Sequence, residues 1–499
     1  MATSQPLRYT ALSHCWGPEG SPRLKTTPEN IKSRMSGIPW ATIPRTFQDA
    51  MVFTYRLHVQ FIWIDSCCII QDEPGDADWQ REAAKMADVY SHSYFTIVAA
   101  NSANSGVGLF RSIPRELTSR PMMEVSNLDP EHAEKVVLFA QQRQEYAHSS
   151  DTREYPLMSR GWCFQERCLS RKLIYFLKGQ IVWRCCSTEL WEGHATKQDS
   201  SWAEALLIFD RTPPKGPTVD QQLVKDSLTN MPDLSGVSIP CTSELSTPIE
   251  AVHQWMMIAR RYTYLSLTYQ QDKLPAIGGM AIELSRFRRG KYVAGIWDDA
   301  PLYELCWFVT SGTRNEIKCA PSWSWASVNG YIDFALRRTR QSFFAKVEEL
   351  TCQYVDPERP FTSRVTSGTM KIRSHLIPWP KKDWEERSDK HRSRIMIRSK
   401  TRDEIGWMIF MDDEIPPIET SMLYLLLMSR NSEKLHMFQH LILRQVDETL
   451  DVYERVGFAT FNLFDAKWDE YADADLYTSE GRRRLGYPEF SPLKLVTVI

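Results

Sequence analysis

The ten residues from Phe61 to Ile70, FIWIDSCCII, are almost wholly apolar and carry one charge, Asp65. A run of this length bounded by polar turns suits a strand covered on both faces, as in a parallel sheet, better than a helix. Asp65 therefore needs a reason to be there. The acidic stretch Glu73 to Asp78 follows, with Pro74 and Gly75 marking a turn, and a helical pattern then begins. On that helix Trp79, Ala83, Met86 and Tyr90 share one face. Glu82 lies about 60° from Trp79, on the margin of the apolar stripe and one turn from Lys85. Arg81 and Asp88 point to solvent.

The surrounding chain alternates in the same way. YTALSHCW reads as a first strand, TFQDAMVFTYRLH as an amphipathic helix, FIWIDSCCII as a second strand, DWQREAAKMADVYSH as a helix and YFTIVAAN as a third strand. That order predicts an α/β sheet with parallel strands and right-handed crossovers. Ligands of such sheets bind at the carboxyl ends of strands, here Ser13 to Gly17 and Gln71-Asp72. Further on, the segment from Ser159 to Cys186 reads as a short helix and a β-hairpin turning at Lys178-Gly179.

Three regions are expected: a domain over residues 1–195, a linker or insertion over 196–247 where Pro, Ser, Asp and Thr accumulate, and a mixed α+β region over 248–499. The last begins with a helical pair, roughly Pro248 to Tyr264 and Pro275 to Arg289, and continues in strand-like runs. Among them PSWSWASV would place Ser322, Ser324 and Ala326 on one face of a packing strand and Trp323 and Trp325 on the other. A formal charge of −2 argues against nucleic acid or an anionic membrane as the main partner. The basic runs Arg286 to Arg289 and Lys381 to Lys400 are read as solvated.

The start of the chain lacks a basic segment followed by an apolar one, and SMLYLLLM is too short to span a bilayer. A cytoplasmic protein without a membrane span is expected. The 11 cysteines, an odd number, fit reduced and buried thiols, and no C-x-x-C spacing suggests a metal.

Each polar residue at the strand ends has a structural and a chemical reading. Glu82 can form an i,i+3 ion pair with Lys85, or stand ready to steady a developing cation. Ser13 and Gly17 can let backbone approach a phosphate or ribose, or simply make a turn. Asp65 can orient a ligand hydroxyl or cap a neighbouring loop. His14 and Cys15 beside Cys67 and Cys68 suggest either a thiol nucleophile or inert buried cysteines, the ordinary state of such residues. Arg160, Gln165 and Glu166 can complete a polar network or hold their helix to the core.

The motifs ALSHCWG, IPRTFQDA, FIWIDSCCIIQD, DWQREAAKMADVY and RGWCFQER, in that order, resemble the fungal heterokaryon incompatibility (HET) domain over roughly Tyr9 to Glu166. The resemblance implies non-self recognition and regulated cell death, and a TIR-like or flavodoxin-like fold. Some TIR domains cleave NAD+ with a glutamate in a W-x-x-E-like setting, which Trp79 and Glu82 match. On this resemblance Glu82 is the catalytic carboxylate, NAD+ is a substrate and no cofactor is needed. Ser13, Trp16, Gly17, Asp65 and Trp79 would contact the substrate, with Trp79 or Trp16 stacking on a ring. Arg160, Gln165 and Glu166 would support them. The alternative is a non-enzymatic signalling module that associates with itself or with an incompatibility partner.

Overall fold

The computed structural model describes residues 7–72, 77–110, 122–125, 136–139, 155–178, 181–185, 188–191, 248–315, 317–335, 341–379, 384–388, 394–399, 405–412, 423–431, 437–447, 449–463 and 490–499. The chain divides into two compact units, Met1–Ser243 and Glu244–Ile499. Residues 196–247, the expected linker, lie outside the described residues, as does the 73–76 part of the acidic turn.

The first unit contains strands β1 (Tyr9–Ser13), β2 (Phe61–Ile64), β3 (Thr96–Val98), β4 (Met122–Val125), β5 (Val136–Phe139), β6 (Lys172–Phe176), β7 (Ile181–Cys185) and β8 (Thr188–Trp191). Six form one sheet in the order β2-β1-β3-β6-β7-β8, while β4 and β5 pair with each other. The pairs β1–β2, β1–β3 and β3–β6 are parallel, and β7 and β8 extend the sheet in antiparallel fashion. The mostly parallel N-terminal sheet expected from alternating strand and helix patterns is present. Central β1 and β3 are nearly all apolar or small because both their faces are covered.

Alternation along the strands sends side chains into two layers. Leu12, Ile64, Ile97 and Ile174 pack with Phe47 and Ala50 of the helix Arg45–Arg56. On other faces of the strands, Ala11 meets Met86 and Tyr90, while Val98, Leu173 and Tyr175 meet Cys163. The helices Met86–His92 and Gly161–Leu169 supply those contacts.

Two local expectations change. The second strand stops at Ile64, and Asp65–Cys68 forms one helical turn. Asp65 causes the change: its Oδ1 accepts from Ser66 N at 2.7 Å and its carbonyl from Ile69 N at 3.0 Å, bonds that replace a sheet ladder. The single helix expected over 78–92 is two, Ala77–Ala83 and Met86–His92, joined by a turn in which Lys85 N donates to Glu82 O. The second helix is thereby aimed to place the Tyr90 hydroxyl on Leu12 O.

The second unit pairs two helices, Pro248–Tyr262 and Pro275–Leu284, with many strands. Strands Val365–Pro378, Leu423–Asn431, Phe438–Asp447, Val452–Leu463 and Leu493–Val498 pair in a closed cycle, a small β-barrel. Its core holds Leu425, Leu427, Phe438, Ile442 and Phe461. PSWSWASV is a turn and a 3-10 helix, Trp325–Ser327, rather than a strand. Ser324 Oγ accepts from Ala326 N, capping that turn, while Trp323 and Trp325 are both fully buried. Arg288, within a run read as solvated, is buried and pairs with Asp299 and, at 2.8 Å, with Glu304.

Candidate functional site

β1 and β2 end side by side, with Leu12 opposite Ile64. The chain leaves β1 through His14, Cys15 and Trp16 and leaves β2 through Asp65, so parallel pairing alone gathers these side chains. Trp16 Nε1 donates to Asp65 Oδ2 at 2.9 Å. With Ser66 N on Oδ1, both oxygens of Asp65 are held while the side chain stays 21% exposed. His14 Nδ1 lies 3.6 Å from Asp65 Oδ1, too far for a hydrogen bond, and its ring meets Phe47 edge-on. Burial lowers the pKa of His14, so a neutral ring is favoured there.

Beneath these groups lies the helix Gly161–Leu169. It is tied to β3 by Ser170, whose hydroxyl donates to Glu166 O and bonds to Thr96 Oγ1 at 2.7 Å. That fixes Glu166 under β1. Its residue is 4% exposed, and burial together with the Asp65 charge raises its pKa to about 7. Ser13, Tyr90 and Arg160 act in the opposite sense without cancelling the rise. Glu166 Oε2, Ser13 Oγ and both His14 ring nitrogens are buried and make no hydrogen bond of normal geometry. Four such atoms around one strand end mark a site that is polar beyond the needs of packing.

Arg160 is half-buried, and its charge acts on Cys15, Cys163 and Glu166 as well as on His14. Ser13, Trp16, Asp65, Arg160 and Glu166 thus come together. Gln165 is buried on the same helix as Glu166. Gly17 has a turn role: φ is +81°, and a Cβ there would lie 2.4 Å from Asn104 Cβ. Trp79 packs edge-on against Trp162, ring centroids 5.6 Å apart, so its ring is engaged by protein.

Glu82 sits on the flank of the site, a quarter exposed, with Lys85 Nζ at 2.7 Å and Arg81 Nε at 3.5 Å. The charges of Glu82 and Asp65 both act on Cys68. Burial pushes the thiols of Cys15, Cys67 and Cys68 up, Cys67 to about 12, which removes the thiolate a nucleophile would need. Among the described residues, no group of three or more His, Cys, Asp or Glu is arranged to hold a metal ion.

Tyr90 is the site residue that sequence reasoning read only as packing. Its helical spacing announced the buried ring, but the hydroxyl reaching Leu12 O depends on the break at Ala84-Lys85. His14 was visible in the motif, yet its position against Asp65 required the register of β1 on β2.

Comparison with curated proteins and with solved structures gave no match. Residues 9–166, about a third of the chain, match the family described as Heterokaryon incompatibility protein (HET), a span that opens on the first residue of β1 and closes on Glu166; this stretch of the chain is a heterokaryon incompatibility domain.

Proposed function

We propose that this HET domain acts in non-self recognition and regulated cell death by cleaving NAD+ between nicotinamide and ribose. The observation that carries the reading is the fixed Asp65 carboxylate at the joined ends of β1 and β2, with the unsatisfied polar atoms of Ser13 and Glu166 beneath it. The strand order β2-β1-β3 and a site at the carboxyl end of β1 support kinship with TIR-like and flavodoxin-like folds.

The chemistry asks little of the protein. Water adds to the anomeric carbon as the bond to the pyridinium nitrogen breaks; the electron pair returns to the nicotinamide ring and the water proton passes to a carboxylate. The passing state is oxocarbenium-like, so one placed negative charge stabilises it. Glu82 is the proposed reacting carboxylate, on the flank of the site, and Asp65 the one at its centre that holds ribose hydroxyls.

Incubation of purified protein with NAD+, following nicotinamide release, tests the reading. Glu82→Gln and Asp65→Asn should each lower the rate about 100-fold, the loss expected when an electrostatic partner of the transition state is removed. Unchanged turnover in Glu82→Gln would remove that residue from the chemistry. The pairing of Glu82 with Lys85 and Arg81 favours a second reading, a cytoplasmic signalling module acting by self-association or by binding an incompatibility partner. Absence of turnover by protein shown to be assembled would select it.

A further inference from the structure

Glu166 is not needed to hold its own helix. Ser170 already ties the helix end to β3, and Cys163, Phe164 and Leu169 are buried along its length. A carboxyl group placed there costs stability, because a buried polar group without a partner is unfavourable. Yet it lies under the end of β1 with Oε2 unbonded, close enough to Ser13, Tyr90, Arg160 and Asp65 for each to bias its ionisation. The thiols of Cys15 and Cys163 also feel it. These groups come from β1 and the residues after it, the Asp65–Cys68 turn, the Met86–His92 helix, and Glu166's own helix with Arg160 just before it.

We infer that Glu166 is the positioning carboxyl of this site: buried, with Oε2 unpaired, it stands as a carboxylic acid, so that a ligand meets a single negative charge, on Asp65, backed by a neutral acid. This rests on the NAD+ reading for the identity of the ligand. It deepens that reading by defining the ligand class, a ribosyl group that becomes cationic as a charged ring departs. A single carboxylate attracts such a group. Two adjacent carboxylates would repel each other in a buried place and would not both stay ionised. The carboxylic acid also keeps a donor beside Ser13, which an ionised Glu166 would lose.

Two measurements on the full chain decide the matter. Carboxyl-carbon NMR of protein labelled at glutamate should show a resonance, absent in Glu166→Gln, that titrates near pH 7. Because Asp65 raises that midpoint, Asp65→Asn should move it to lower pH. The inference is overturned if the resonance titrates in the ordinary range of about 4 to 5, or if Asp65→Asn leaves it in place.

The second measurement is the pH profile of nicotinamide release. Wild type should hold a plateau at low pH and decline above about 7, as Glu166 ionises. Glu166→Gln should lower the plateau by up to roughly tenfold, because an amide N–H replaces the carboxylic O–H as donor, and should abolish the decline, since an amide does not ionise. A purely structural Glu166 would lower the rate and leave the shape of the profile intact. Wild type that turns over NAD+ with a decline retained in Glu166→Gln sinks the inference and spares the NAD+ reading. Wild type that releases no nicotinamide sinks the NAD+ reading, and the NMR titration then decides the protonation of Glu166 alone.

Discussion

The indole of Trp16 donates to the carboxylate of Asp65 at 2.9 Å, a bond between residues 49 apart in sequence that closes the ends of β1 and β2 over the site. The bond joins an aromatic that leaves one strand to the charge that ends the next. It turns an awkward residue in an apolar run into a carboxylate with both oxygens held, the other by Ser66 N.

Trp16→Phe keeps the ring and deletes this donor. A loss of about 1 kcal/mol in urea unfolding is expected, since Asp65 is partly exposed and water can replace the indole. Nicotinamide release, where present, should fall with it, because Asp65 loses the bond that fixes one of its oxygens. Unchanged stability and unchanged turnover would show that the bond orders nothing.

Gly17→Ala should cost more than Gly20→Ala. Both glycines have left-handed φ, +81° and +86°, so each substitution carries a backbone penalty of about 1 to 2 kcal/mol. A Cβ at Gly17 also meets Asn104 Cβ and Ser21 Oγ at 2.4 and 2.6 Å, whereas one at Gly20 meets nothing within 4 Å. The difference between the two unfolding free energies isolates the steric part, and equal costs would refute the close approach.

Stability of the first unit should carry the signature of Glu166. Its folded pKa, about 7, lies above the ordinary 4.5, so the folded state binds the extra proton between those values. Stability from this group is full below about 4.5 and declines as pH rises toward 7. Glu166→Gln cannot titrate, so its stability relative to wild type should grow across that window, by up to roughly 3 kcal/mol at 1.36 kcal/mol per unit. Chemical unfolding of both proteins at several pH values checks the slope.

His440, in the barrel, acts in the opposite direction. Burial lowers its pKa to about 3 from an ordinary 6.5, so the unfolded chain binds the proton first as pH falls. The stability it contributes is complete above 6.5 and is lost as pH drops through that range toward 3. His440→Met should make acid unfolding of the barrel shallower over this window, as read by tryptophan fluorescence. An identical slope in the variant would exclude His440 as its source.

Arg455 and Asp412 are both fully buried, with Nε 3.2 Å from Oδ2. The guanidinium also donates to the carbonyls of Leu305 and Trp307 and lies 3.3 Å from the centroid of the Trp307 ring. Arg455→Met would leave the buried Asp412 charge with Arg314 alone, whose Nη2 lies 3.4 Å from Oδ2, and should cost about 3 kcal/mol. Adding Asp412→Asn should recover part of that loss. A double variant as unstable as the single would mean that packing on Trp307, rather than the under-compensated Asp412 charge, sets the cost.

Alternation of strand and helix patterns between Tyr9 and Asn101 was enough to give the parallel sheet, because period and apolar content are local properties. The HET motifs were equally plain in the order of residues, and the family match covers the same stretch. Local pattern failed where a side chain competed with the backbone. Asp65 ended the second strand by bonding Ser66 N, and Ser324 turned PSWSWASV into a capped turn.

The arrangement of the site was not local at all. Sequence placed Glu82 beside Lys85, three residues on, and the structure keeps that pair. Only tertiary structure could bring Trp16 to Asp65 and lay Glu166 beneath Ser13, since strand register and the tie of Ser170 to Thr96 set those approaches. Burial then decided the proton. The same glutamate that a solvated helix would leave ionised is held under β1 at a pKa of about 7, because burial takes its charge out of bulk solvent and Asp65 already supplies one.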